Sequence, residues 1–175
     1  MHESSPDGAS SVFLEEHCGS YSASHYFPEI SPGETHQGHR CENLECLTFE
    51  PESFDVFVTQ DVMEHVVNPE AAFAEIARVL KPGGRHVFTV PVYWGKSTRV
   101  RARMISDEME YLEPPDYHSN PVDSSGSLVV TEWGDDLCSV IETCSGLTTE
   151  ATGYSDRSSG LDGKFLDVLV SSKPL

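Results

Sequence analysis

Residues 54–91, FDVFVTQDVMEHVVNPEAAFAEIARVLKPGGRHVFTVP, decide the fold. Residues 55–59 form a short apolar run with β-branched members, the pattern of a strand covered on both faces. The run ends in the polar residues Gln60 and Asp61. Asn68-Pro69 then starts a helix, because Asn caps free N–H groups and Pro is tolerated at the first helical position. Ala72, Phe73, Ile76, Val79 and Leu80 follow on one helical face. Lys81-Pro82-Gly83-Gly84 ends the helix, and Val87 to Val90 is a second buried strand stopped by Pro91. Strand, helix and strand in this order make a βαβ unit of a parallel sheet.

Upstream, the Ser/Gly/Asp-rich residues 1–11 read as a loop. Ser11 to Cys18 is a short helix with Gly19 as its stop, and Tyr21 to Tyr26 is a short strand. Pro28 to Gly38, with two prolines and two glycines, is a loop. Arg40 to Leu47 holds a short strand that turns at Glu42-Asn43. Downstream, Arg99 to Leu112 alternates like a hairpin with one wet face. Pro114 to Ser127 is a loop. Asp135 to Cys144 is a helix ended by Gly146, and Leu147 to Thr152 and Phe165 to Ser171 are the last two strands. The chain reads as one domain, 1–175, with a hairpin and loop insertion at about 93–127.

Eleven Lys and Arg face 29 Asp and Glu, a formal charge of −18. Such a surface repels phosphate backbones and anionic membranes, so neither nucleic acid nor a membrane is an expected partner. No apolar run is long enough to span a bilayer, and no signal peptide is evident. The five cysteines, an odd number without Cys-x-x-Cys spacing, suit reduced thiols in a cytoplasmic protein.

The βαβ residues, the Gln60-Asp61 strand end running into Glu64-His65-Val66, and the Asn43-Leu44 turn together resemble the class I S-adenosylmethionine (SAM)-dependent methyltransferases, in their type 11-like branch. The resemblance implies an α/β, Rossmann-like sheet, mainly parallel, with an antiparallel C-terminal strand. It implies SAM as cofactor and a small-molecule acceptor. Asn43 stands where the family holds an acidic residue for the adenine amino group, and its side-chain oxygen still accepts a hydrogen bond. Leu44 would wall the adenine. Gln60 and Asp61 would meet the cofactor at the strand end. His65 and His118 are the candidates for a general base.

The start of the chain departs from the family. Glu3 stands for the acidic residue of the first turn, and Ser4, Ser5 and Gly8 for its glycines. Serine carries a Cβ and Pro6 lacks an N–H, which makes a less open cradle. No apolar strand precedes Glu3, so the first strand is expected to be missing or shortened. At the ribose position no carboxylate stands, and Ser24, His25 or Tyr26 is left to bond the hydroxyls. An unfilled central strand position would leave unpaired edges, favouring a homodimer or strand exchange. The alternative function is therefore a catalytically inactive methyltransferase-fold module for binding or assembly.

His36-x-x-His39-x-Cys41-x4-Cys46 has zinc-type ligands at a spacing that fits no common zinc site, so no metal is expected. Arg99, Arg101 and Arg103 share one face of the hairpin, opposite Asp107, Glu108 and Glu110. Tyr93, Trp94, Tyr117 and His118 are the substrate-pocket candidates.

Overall fold

The computed structural model describes residues 1–106, 108–119 and 126–175. The strands are β1 (His2–Ser4), β2 (Ser22–His25), β3 (Thr35–His36), β4 (His39–Cys41), β5 (Phe54–Gln60), β6 (Leu80–Thr89) and β7 (Arg99–Val100). There follow β8 (Ala102–Ile105), β9 (Glu108–Tyr111), β10 (Tyr117–His118), β11 (Ser127–Leu128), β12 (Thr131–Glu132), β13 (Thr148–Gly153) and β14 (Asp167–Ser172). The α-helices are α1 (Gly8–His17), α2 (Pro69–Val79) and α3 (Leu137–Ser145).

The main sheet runs β13-β14-β6-β5-β1-β2-β4-β3. Strands β6, β5, β1, β2 and β4 are mutually parallel. On one side β14 runs antiparallel to β6 and β13 antiparallel to β14, and on the other β3 runs antiparallel to β4. Ligands of such sheets bind beyond the carboxyl ends of the parallel strands. Here those ends are Ser4, His25, Cys41, Gln60 and Thr89.

The core follows the helical and strand periodicities. Helix α2 buries Ala72, Phe73, Ile76, Ala77 and Val79, and α3 buries Leu137 and Ile141. These pack with Phe57, Phe88, Trp133 and Leu169 in one cluster. A fully buried Phe or Ile contributes about 1.5–3 kcal/mol. Asn68 Oδ1 accepts from the Ala71 N–H at 3.2 Å, so the predicted cap is formed. Gly146 ends α3 at φ 71°, a left-handed turn that glycine adopts without strain.

Several expectations are corrected. Of the two alternatives for the first strand, it is shortened and not missing: His2-Glu3-Ser4 itself forms β1, three residues long, between β2 and β5. It fills the central position from within the chain, which removes the reason for expecting strand exchange. Its burial is polar. His2 is wholly buried, with Nδ1 2.8 Å from Ser22 Oγ and Nε2 3.0 Å from Ser24 Oγ. Helix α1 begins at Gly8, inside the stretch read as a loop, and the 28–38 loop contains β3.

Lys81-Pro82-Gly83-Gly84 is a bulge within β6 rather than the helix stop. Leu80 already pairs with Phe54, and regular pairing resumes at Arg85 with Val56. The hairpin is β8–β9, but its arginines reach elsewhere. Arg99 meets Glu113 at 2.9 Å and Glu132 at 2.6 Å, Arg101 bonds Glu132, and among the described residues only Arg103 pairs within the hairpin, with Glu110 at 2.6 Å. Asp107 lies outside the described residues.

Candidate functional site

A cavity of about 580 Å³ opens where the parallel strands end. Four of these strands send their ends and the turns after them to its wall: Ser4, Ser5 and Asp7 from β1; His25 and Tyr26 from β2; Asn43 and Leu44 from β4; Asp61, Val62 and His65 from β5. Gln60 closes the floor, and Ser119 and Ser127 reach in from beyond the sheet.

The turn after β1 substitutes for a glycine cradle. Ser5 takes φ 57°, the left-handed region that glycine favours. Its N–H is held by the Ser24 carbonyl at 2.7 Å. The chain then enters α1, whose N-cap Asp7 makes no side-chain capping bond. Early N–H groups of α1 thus lack a side-chain cap where Asp7 meets the cavity, an arrangement that favours an anionic group.

Glu3 serves beneath this turn and not in the cavity. It is fully buried and accepts from Ser11 Oγ at 2.9 Å, Tyr21 Oη at 2.6 Å and Gln60 Nε2 at 2.7 Å. It ties β1, α1, β5 and the residue preceding β2 together. Two further predicted contacts are displaced. Ser24 is buried against His2, and Gly8, the first residue of α1, is not among the residues that line the cavity.

The turn after β4 is braced from both sides. Glu42 is buried and accepts from Arg40 Nε at 2.6 Å and from the Thr48 N–H at 2.9 Å. Asn43 Oδ1 accepts from the Glu45 N–H at 2.9 Å. Glu45 Oε1 in turn accepts from the N–H groups of Val67 and Asn68, at 3.1 and 2.9 Å. The turn use of Asn43 and its place on the cavity wall therefore coexist. Its carbonyl oxygen has two lone pairs, and the turn occupies one.

Asp61 sits at φ 49° directly after β5. Its N–H bonds the Thr89 carbonyl at 3.1 Å, and its carboxylate accepts from Thr89 Oγ1 at 3.0 Å. Both hold it at the cavity rim. Behind it, His65 Nδ1 donates to the Leu128 carbonyl at 2.8 Å, which leaves Nε2 with its lone pair. Burial holds the His65 ring below the ordinary histidine pKa. Burial also raises the neighbouring Glu64 carboxyl to about 7.

His118 is brought to the same place by β10. Its ring stands 5.1 Å from that of His65, edge to face, and its Nδ1 is 3.6 Å from Glu64 Oε1. The sequence reading singled out both histidines and overlooked the carboxylate between them. The local Glu64-His65 pair was the available signal. Two imidazoles and one carboxylate are donor types that hold transition ions. Among the described residues, the His36, His39, Cys41 and Cys46 side chains form no such group.

The remaining substrate-pocket candidates lie elsewhere. Tyr93 packs edge to face on Phe165 and lines a separate cleft of about 150 Å³. Trp94 Nε1 donates to Asp167 at 2.8 Å. Tyr117 is exposed.

Comparison with known proteins agrees on the fold. Residues 8–88 match the family of methyltransferase domains. Over 98% or 99% of its length, the chain superposes on solved methyltransferases at TM-scores above 0.6. The chain has the class I methyltransferase fold. One such structure is a Haloferax volcanii methyltransferase in complex with the Trm112 methyltransferase activator, at TM-score 0.63 and 16% identity, covering 99% of this chain and 81% of that one. Another is the Burkholderia thailandensis 1,6-didemethyltoxoflavin-N1-methyltransferase, solved with 1,6-didemethyltoxoflavin and S-adenosylhomocysteine, at TM-score 0.61 and 14% identity, covering 99% and 71%. In sequence, a ubiquinone biosynthesis O-methyltransferase of Coxiella burnetii is 31% identical over 51 residues, 29% of this chain. The match spans about a fifth of that relative, 22% of its length. Within the methyltransferase fold, the cavity occupies the crevice beyond the strand ends, and the antiparallel β14 and β13 are the expected C-terminal pair.

Proposed function

We propose that this chain binds SAM in the crevice beyond β1, β2, β4 and β5 and transfers its methyl group to a small-molecule acceptor. The observation that carries the reading is the ordered set of cavity-wall groups: Ser5 before α1, His25 and Tyr26, Asn43 and Leu44, then Asp61. A volume of about 580 Å³ lies within the range of cofactor and small-ligand sites.

The residues fit the cofactor piece by piece. The free lone pair of Asn43 would accept from the adenine amino group, and buried Leu44 would pack on the ring. His25 and Tyr26 would face the ribose. The first N–H groups of α1 would favour the methionine carboxylate, and Asp61 would offset positive charge. When bound, SAM supplies a methyl group on a sulfonium, ready for in-line displacement.

The chain's own contribution is alignment and proton handling. His65 Nε2 carries a lone pair beside Asp61, so the acceptor's proton has a base at the cavity wall. The relatives named ubiquinone biosynthesis O-methyltransferase favour a hydroxyl acceptor. The charge of −18 favours a small molecule over nucleic acid.

One observation favours a second reading, a fold that binds without transferring: no carboxylate stands at the end of β2. Incubation with SAM and a panel of hydroxylated aromatics and amines separates the two. Addition of one methyl group, seen by mass spectrometry, supports transfer. Cofactor binding without product across the panel supports the second reading.

A further inference from the structure

The Glu64 carboxylate is 2% exposed, and among the described residues neither of its oxygens has a hydrogen-bond partner. Burying such a group unsatisfied is costly, and folded proteins rarely retain one. Two imidazole nitrogens face it, His65 Nε2 at 3.7 Å and His118 Nδ1 at 3.6 Å. These separations are too long for hydrogen bonds. They are close to the spacing of two ligands on one ion, since ligands about 2.0–2.2 Å from a tetrahedral zinc stand about 3.4 Å apart. The three ligand atoms all lie within 4.8 Å of one another.

The outer contacts point the same way. His65 commits Nδ1 to the Leu128 carbonyl, which fixes the tautomer and presents Nε2 as a donor atom. Ligating histidines are held in this manner. The Glu64 carbonyl accepts from the N–H groups of Val130 and Thr131, at 2.8 and 3.0 Å, so the backbone behind the carboxylate is fixed as well. The His118 side chain is 43% exposed, which gives an ion a way in.

We propose that Glu64, His65 and His118 form a divalent transition-metal site that cross-links β10 to the segment following β5. Two imidazoles and one carboxylate suit Zn²⁺, Co²⁺ or Fe²⁺ better than Mg²⁺ or Ca²⁺. Three protein ligands leave a coordination position open, as in sites that take up a substrate oxygen. His65 lines the cavity, so that position adjoins the acceptor space; a bound ion takes the Nε2 lone pair, so His65 serves as a base only in the ion-free chain. This last step rests on the methyl-transfer reading; the metal site itself does not.

The test is titration of the metal-stripped full chain with Co²⁺ and with Zn²⁺, without SAM. One equivalent is expected to bind, with visible cobalt absorption that Zn²⁺ abolishes and Mg²⁺ does not. His118→Ala, at an exposed position, and Glu64→Gln are each expected to weaken binding tenfold or more. His36→Ala with His39→Ala is expected to leave it unchanged. Amide exchange at residues 117–118 and 127–131 is expected to slow on Zn²⁺ addition in the parent and not in His118→Ala. Affinity no tighter than millimolar, or tight binding indifferent to His118→Ala, overturns the site. Unchanged exchange overturns the cross-link. A parallel titration with S-adenosylhomocysteine reads the cofactor pocket separately, so failure of one reading is not mistaken for failure of the other.

Discussion

Gln60 donates its side-chain amide to the Glu3 carboxylate at 2.7 Å, joining the end of β5 to the middle of β1 beneath the cavity floor. Glu3 has no route to solvent and receives two more donors, Ser11 and Tyr21. Glu3→Gln places an amide N–H₂ against groups that can only donate or prefer to. The expected loss is about 2–4 kcal/mol of stability, measured by urea unfolding, with weaker S-adenosylhomocysteine binding although Glu3 lines no cavity. Tyr21→Phe removes one donor and is expected to cost about 1 kcal/mol. A Glu3→Gln chain as stable as its parent would contradict the structural role given to Glu3.

Ser5 holds a left-handed backbone at φ 57° where a glycine would sit without strain. Ser5→Gly is expected to raise stability by up to about 1 kcal/mol and to preserve or improve cofactor affinity by opening the cradle. A melting curve and a binding titration on the same preparation check both halves. Lower stability would mean that the serine side chain holds the turn.

Asn43 combines a turn bond to the Glu45 N–H with a free lone pair on the cavity wall. Asn43→Ala is expected to weaken S-adenosylhomocysteine about 5–20-fold, the worth of one or two hydrogen bonds. Asn43→Asp keeps the acceptor and is expected to bind within about threefold of the parent. Equal losses for Ala and Asp would assign Asn43 to the turn alone.

His86 is wholly buried, stacks on Phe88 at 4.4 Å and bonds Thr59 through Nε2 at 3.0 Å. Burial holds its pKa at about 3, below the ordinary 6.5. The unfolded chain therefore takes up a proton between pH 6.5 and 3 that the folded chain refuses. Its contribution to stability is full above about pH 6.5 and falls as the pH drops toward 3. Relative to His86→Gln, the parent is expected to lose about 2 kcal/mol between pH 7.5 and 5, read from denaturant unfolding at the two pH values. A constant difference between them would contradict a neutral buried imidazole.

The strand–helix–strand unit at residues 54–91 was legible because its apolar residues follow strand and helix periods and Asn68-Pro69 caps as such pairs do. Strand β1 was not. His2, Glu3 and Ser4 carry no apolar side chain, and their burial is offset by partners such as Ser22, Ser24 and Tyr21 that periodicity does not reveal. The bulge at residues 81–84 was read as a helix stop, since Pro-Gly-Gly signals either, and only the pairing of Leu80 with Phe54 distinguishes them. Asn43, Asp61 and His65 were legible as cavity residues because they lie in the segments that follow strand ends. Glu64 was passed over: its meaning depends on His118, which arrives from a distant ribbon.

Calorimetric titration of the folded chain with S-adenosylhomocysteine tests the central claim most directly. One site of micromolar affinity, about −8 kcal/mol, weakened by Asn43→Ala and indifferent to Arg103→Ala on the distant β8–β9 hairpin, is the expected result. No heat of binding at millimolar ligand, from a chain shown by circular dichroism to be folded, would contradict the account.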